Sequence, residues 1–357
     1  MTERNKKILK YSVSLAVAAV LLWFSFRGVK WEDFIRGLKE CRWEFVILSM
    51  AVSIMAFWLR GLRWRQILLP IDPATTRLTA FNAVNIGYIA NFVFPRIGEF
   101  VRCGVISARS AAVHRGEVPE SVAGRDGGRS VSRSVGTGSE RDVATYDKVL
   151  GTVVLERGWD LVVMLFVTAM LLVFRWEKFG SFFVEKIWRP VESSLHLSLW
   201  WVIAALVIVL AAFCLVVWKF RDRSRFCSKA VSLSKGVIDG FTSAFRMDGK
   251  LMFLLYTVLI WVMYWLMAVC TMYAIPDLGY LNAVDALFLM IAGSFGWLVP
   301  VPGGFGSFHF IVSLALSTIY GIPAGLGVIF ATLSHESQAV TMALCGGISW
   351  FYESFRK

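Results

Sequence analysis

Long uninterrupted apolar runs, rather than alternating ones, dominate this chain. They cover residues 8–26, 43–69, 149–174, 198–218, 251–275 and 324–351. Each is close to or longer than the roughly 20 residues a helix needs to cross a bilayer. A transmembrane β-barrel would instead alternate apolar and polar positions along short strands. The pattern therefore predicts an all-α multi-pass membrane protein with six full transmembrane helices. Ala16-Val17-Ala18 has the form of a signal-peptide cleavage site. It lies in mid-run with apolar sequence continuing beyond it, so the first run reads as an uncleaved anchor.

Two further apolar regions, 78–106 and 282–322, are broken. In the first, the stretch 85–102 carries Asn91, Pro95, Gly87 and Gly98 together with Arg96, Glu99 and Arg102. If the chain is helical after Pro95, the three charges are spaced i, i+3, i+6 and fall roughly on one face. In the second, residues 283–299 contain Asp285, Gly293 and Gly296. They lead into Pro300-Val301-Pro302-Gly303-Gly304-Phe305-Gly306-Ser307-Phe308-His309, after which 311–320 is short. Irregular backbone and ionisable groups at membrane depth are tolerated where they face protein or a water-filled cavity. The bland alternative for the first region is a tight loop at the lipid headgroups.

Charge changes the picture by orienting the spans. The formal net charge is +12 over 357 residues. If both broken regions dip in and return to their own side, 25 Lys/Arg fall on one face, nine on the other and three inside the membrane segments. The positive-inside rule then puts both termini, and the segments 107–147 and 219–250, in the cytoplasm. It also makes the broken regions enter from opposite faces, as in an inverted repeat. Pro95-x-x-Gly98-x-Phe100 and Pro300-x-x-Gly303-x-Phe305 echo one another weakly. Paired Gly/Pro-interrupted segments of this kind point to a transporter's midplane site.

The rest of the chain adds less. Residues 27–44 read as an amphipathic interfacial helix. Arg60, Arg63, Trp64 and Arg65 at the end of the second run read as interface anchors. The segment 107–147 is rich in Ser, Gly and Arg without periodicity, and reads as a disordered cytoplasmic insertion in a single membrane domain spanning 1–357. Glu156, Arg157 and Asp160 form a costly cluster inside an otherwise apolar run, with local pairing available at i, i+3. The six cysteines form no CxxC, and the four histidines, His309 among them, show no metal-ligand spacing. No metal, cofactor or nucleic-acid partner is expected, and no nucleophile–base motif marks an enzyme.

Taken together, Asn91-x-x-x-Pro95-Arg96-x-Gly98-Glu99-x-x-Arg102, Glu156-Arg157-x-x-Asp160 and Pro302-Gly303-Gly304-Phe305-Gly306 resemble motifs of the flippase-like family. That family comprises relatives of the transmembrane domain of lysylphosphatidylglycerol synthase. Arg60-x-x-Arg63-Trp64 also looks like that family's. The resemblance covers nearly the whole chain outside 107–147. It departs at His309, where family members often place an acidic residue. The chain ends at Lys357, so the soluble aminoacyl-transferring domain of the full synthases is not expected.

The resemblance and the intramembrane charges imply a translocase for an amphiphilic, phosphate-containing lipid in the cell membrane. Arg96 and Arg102 would pair with the phosphate, because a guanidinium matches phosphate geometry. Glu99, Glu156 and Asp160 would hold the arginines or bind a cationic headgroup, with Arg157 and Asn91 in the same site. Gly303, Gly304 and Gly306 would offer backbone N–H groups to an anion, and His309 would couple movement to protons. The alternative is an integral-membrane enzyme, or an accessory subunit of a lipid-modifying enzyme, acting on lipid headgroups. Membrane lipids are the expected partners under either reading.

Overall fold

The computed structural model describes residues 3–116, 143–182 and 249–355, with a few isolated positions between them. The centre of the insertion (117–142) and nearly all of both the run 198–218 and the basic segment 219–250 lie outside the described residues. All regular structure among the described residues is helical.

The first helix, α1 (Glu3–Phe26), turns at Gly28, whose φ of +84° suits a residue without a Cβ. It leads into α2 (Trp31–Glu40), a ten-residue helix that buries Phe34 and leaves Trp31 exposed. The axes of 12–26 and 31–40 differ by 83°. Next come α3 (Trp43–Leu68), α4 (Arg77–Val93), α5 (Gly98–His114) and α6 (Tyr146–Phe174). After the short α7 (Trp176–Phe182), the described chain resumes with α8 (Lys250–Ala274), α9 (Ala283–Leu298), α10 (Ser307–Tyr320) and α11 (Ala324–Phe355).

Among the described residues, four stretches are long and apolar enough to cross a membrane: α3, α6, α8 and Pro302–Tyr320. The bent pair α1–α2 makes a fifth if counted as one span. The chain is thus a helical membrane protein. Two sequence expectations change here. The region after Pro302 is not a short remnant, because α10 begins at Ser307 and, with its leading turn, reaches spanning length. The expected loop 107–147 starts too early, since α5 stays helical to His114 with Ser110 buried against Ala144.

Each broken region is a helical hairpin. The α4–α5 hairpin bends at 94–97 and is closed by glycine, for a Cβ on Gly87 would lie 2.8 Å from the Gly98 carbonyl oxygen. Asn91 Oδ1 bridges the bend by accepting from the Gly98 N–H at 2.7 Å, which satisfies an orphan donor at the start of α5. The α9–α10 hairpin uses Gly296 in the same way, where an added Cβ would lie 2.7 Å from Phe308 Cα. Asn282 and Asp285 cap α9 reciprocally.

The tips of the two hairpins touch. Arg96 Nη2 in the first bend donates to the Leu298 carbonyl at the end of α9, at 2.5 Å. Phe92 meets Phe305 with ring centroids 6.1 Å apart. Around this junction α3 packs along α8, α11 along α4 and α10, and α1 against α10.

Candidate functional site

Two groups of buried polar side chains flank the junction. The larger lies between α3, α5 and α6, and its centre is Glu156, which is fully buried. Glu156 Oε1 accepts from Arg60 Nη2 at 2.9 Å and from Arg63 Nη2 at 3.3 Å, while its Oε2 forms an ion pair with Arg102 Nη1 at 2.7 Å. One helical turn on, Asp160 pairs with Arg63 at 2.6 Å, Arg60 at 3.3 Å and Arg157 at 3.7 Å. Arg157 also reaches Glu99 at 3.2 Å.

The helices explain this convergence. Arg60 and Arg63 are i, i+3 on α3, Glu156 and Asp160 are i, i+4 on α6, and Glu99 and Arg102 are i, i+3 on α5. Each spacing stacks its two groups on one helix face. Further polar partners anchor the arginines: Arg60 donates to the Tyr264 hydroxyl at 3.0 Å, and Arg63 to Thr257 at 3.4 Å. The Arg102 guanidinium lies over Trp64, 4.5 Å from the ring centroid, and Trp64 donates its indole N–H to Thr152 at 3.0 Å. A cation–π contact this deep is worth about 2 kcal/mol.

Charge does not balance within the cluster. Among the described residues, Arg60, Arg63, Arg102 and Arg157 face Glu99, Glu156 and Asp160, which leaves one positive charge over. Arg102 Nε and Nη2 are buried with no hydrogen-bond partner among the described residues. Beside them is a small cleft lined by Gly87, Tyr88, Asn91, Glu99, Arg102 and Arg157. Surplus positive charge and unused guanidinium donors favour an anion of phosphate or carboxylate geometry there.

Several sequence expectations are corrected. Arg60 and Arg63 do not anchor a span end at the headgroups; they are 6% and 0% exposed and neutralise the acids of α6. An arginine pair at i, i+3 beside a tryptophan was the available signal, but the same pattern marks membrane interfaces. Arg96 does not share a face with Glu99 and Arg102, because the helix starts at Gly98. Arg96 sits in the bend at φ +59° and is exposed, apart from the charge cluster. Between α5 and α6, Glu99 meets Arg157 and Arg102 meets Glu156.

The second group surrounds the glycine turn. Gly303, Gly304 and Gly306 have φ of +58°, +75° and +81°, a region L-residues avoid. Of the three glycines expected to offer donors to an anion, Gly304 has its N–H taken within the turn, by the Val301 carbonyl. The Phe305 N–H is taken by the Pro302 carbonyl, and the turn packs against Phe92, Trp297 and α1. The Gly303 carbonyl bonds His335 on α11 at 2.8 Å. His309, on the first turn of α10, meets Glu336 at 3.4 Å, and His335 meets Glu336 at 3.0 Å. His335 and Glu336 were not among the expected site residues, since a 26-position separation from His309 carries no motif.

The family model described as the lysylphosphatidylglycerol synthase TM region matches residues 11–123 and 137–346. The chain belongs to that family. This lysylphosphatidylglycerol synthase TM region includes every residue of both polar groups, and its match breaks only at 124–136, inside the expected insertion. Membership ties the protein to lipid headgroup metabolism or transport. No curated protein and no solved structure matches the chain significantly.

Proposed function

We propose that this protein is a lipid translocase that moves an amphiphilic, phosphate-containing lipid across the cell membrane and catalyses no covalent step. The observation that carries the reading is Arg102. It is 3% exposed, held by Glu156 and Trp64, with two donors unused beside a cleft whose charge cluster is one positive charge in excess. Because those donors are buried in the closed cleft, a headgroup phosphate meets them and offsets the excess once α4, α5 and α6 part to admit it. Glu99 and Arg157, both partly exposed, line the same cleft and contact the remainder of the headgroup.

The proposed topology has six crossing spans, with the run 198–218 and α11 among them, and both termini in the cytoplasm. The hairpins α4–α5 and α9–α10 then enter from opposite faces as the two halves of an inverted repeat. Their contact through Arg96 and Phe92 supports that arrangement, since hairpins entering from opposite sides meet tip to tip near the midplane.

The test is translocation of fluorescent lipids in proteoliposomes, across a panel of anionic, zwitterionic and cationic headgroups. The wild type accelerates movement of at least one phosphate-bearing lipid, and Arg102→Gln loses it at normal reconstitution. No acceleration for any lipid by the protein alone favours the accessory-subunit reading.

A further inference from the structure

The histidine–glutamate group at the second hairpin has a geometry that hydrogen bonding alone does not require. His335 Nε2 lies 2.8 Å from the Gly303 carbonyl oxygen. A carbonyl only accepts, so that ring nitrogen carries the proton and a neutral His335 presents the bare lone pair of Nδ1. The lone pair faces Glu336 Oε1 at 3.0 Å, and His309 Nε2 faces the same oxygen at 3.4 Å. Two imidazole nitrogens and a carboxylate oxygen thus converge, one ligand atom from each residue, all within 4.8 Å of one another.

We infer that His309, His335 and Glu336 form a three-ligand binding site for a divalent transition metal of the Zn²⁺ type. With metal–ligand bonds near 2.1 Å, ligands at tetrahedral angles stand about 3.4 Å apart. The two observed separations to Glu336 are close to that value. An N₂O set of borderline donors suits Zn²⁺ rather than Ca²⁺ or Mg²⁺.

The surroundings support a metal site independently. Metal-binding histidines commonly donate their second ring N–H to a backbone carbonyl, which fixes tautomer and orientation; the His335–Gly303 bond does this. Trp297 stacks on His335 with centroids 5.3 Å apart, and Phe305 and Phe308 close the other sides at 4.8 and 5.3 Å. His309 is 2% exposed, and its Nδ1 has no hydrogen-bond partner among the described residues, so the contact with Glu336 is the polar one its ring makes there. The Glu336 side chain is 39% exposed, which leaves a fourth position open on that side. A bound ion would tie α11 to α10 and the glycine turn, clamping the second hairpin.

The inference does not rest on lipid translocation and is tested without it. Purified full-length protein without a polyhistidine tag, stripped with chelator, is titrated with Zn²⁺ by calorimetry and with Co²⁺ by visible absorption. One ion per chain, tetrahedral Co²⁺ bands and a raised Tm are expected. His309→Gln and Glu336→Gln each lower the affinity at least tenfold while remaining monodisperse. Absence of stoichiometric uptake by the folded wild type overturns the site and leaves a hydrogen-bonded group holding a shared proton. Wild-type uptake unchanged in both variants also overturns it, by placing the ion elsewhere. If both variants aggregate, wild-type Co²⁺ decides alone, since a tetrahedral spectrum supports the site and an octahedral one rejects it.

Discussion

Arg102 on α5 and Glu156 on α6 lie 2.7 Å apart, and neither side chain exceeds 3% exposure. Two ions taken this far from water each carry a desolvation penalty of several kcal/mol, which mutual attraction offsets only when the whole neighbourhood is matched. The match here comes from a third helix, since Arg60 and Arg63 of α3 share the same carboxylate. Which charge is removed therefore matters more than how many contacts are lost.

Removing Glu156 and removing Arg102 are expected to act oppositely on charge balance. Glu156→Gln leaves four arginines against two carboxylates and should cost about 3–5 kcal/mol, enough to lower the yield of folded protein. Arg102→Gln brings the cluster to three against three. It should cost less than Glu156→Gln, because Glu156 keeps Arg60 and Arg63 when the contacts of Arg102 with Trp64 and with Glu156 Oε2 are lost. Thermal unfolding in detergent checks both, and translocation should be lost in Arg102→Gln although the protein folds.

The Glu99–Arg157 pair is the exposed part of the cluster, at 23% and 39% side-chain exposure. A pair so open to solvent contributes under about 1 kcal/mol. Single neutralisations should scarcely change Tm, yet each should alter headgroup preference because both residues line the cleft. A double-mutant cycle read by stability and by transport separates the two. Coupling above about 1 kcal/mol in stability would mean that the pair is structural.

Arg96 holds a left-handed backbone conformation that costs a non-glycine residue roughly 1–2 kcal/mol. Its compensation is the bond to the Leu298 carbonyl, which joins the hairpin tips. Arg96→Ala keeps the strain and loses the bond, so it should be less stable than Arg96→Gly, which loses both. Equal stability of the two variants would show that the bend relaxes once the arginine is gone.

Two glycines of α5 should respond in opposite directions to alanine. Gly98 lies against the Gly87 carbonyl and cannot accept a Cβ without parting the hairpin. Gly104 sits mid-helix, and a Cβ added there would meet nothing within 4 Å among the described residues. Gly104→Ala should therefore raise stability by up to about 1 kcal/mol, and Gly98→Ala should lower it. Tm of the two variants, measured side by side, is sufficient.

Topology is checked by single-cysteine labelling on a cysteine-free background. The basic bias expects positions 130 and 232 to react only when reagent reaches the cytoplasm. Labelling of either from outside intact cells would reverse the proposed orientation and with it the opposite entry of the two hairpins.

Family membership and the helical membrane architecture were legible in the sequence, because continuous apolar runs and ordered motifs are one-dimensional features. So were the two breaks, since Pro95, Gly98 and the 303–306 glycines interrupt a helix by their own backbone chemistry. The clustering of Glu156, Arg157 and Asp160 was equally visible, because i, i+3 and i, i+4 neighbours meet on any helix. Which residue of another helix each would meet was not. Arg60 and Arg63 turn inward, Arg102 meets Glu156, and Arg96 stands apart, according to helix rotation, depth and the residue at which α5 begins. No local period encodes those quantities. His309 and His335 show the same limit: 26 positions separate them along the chain, and only the packing of α10 on α11 brings their rings within 5.0 Å.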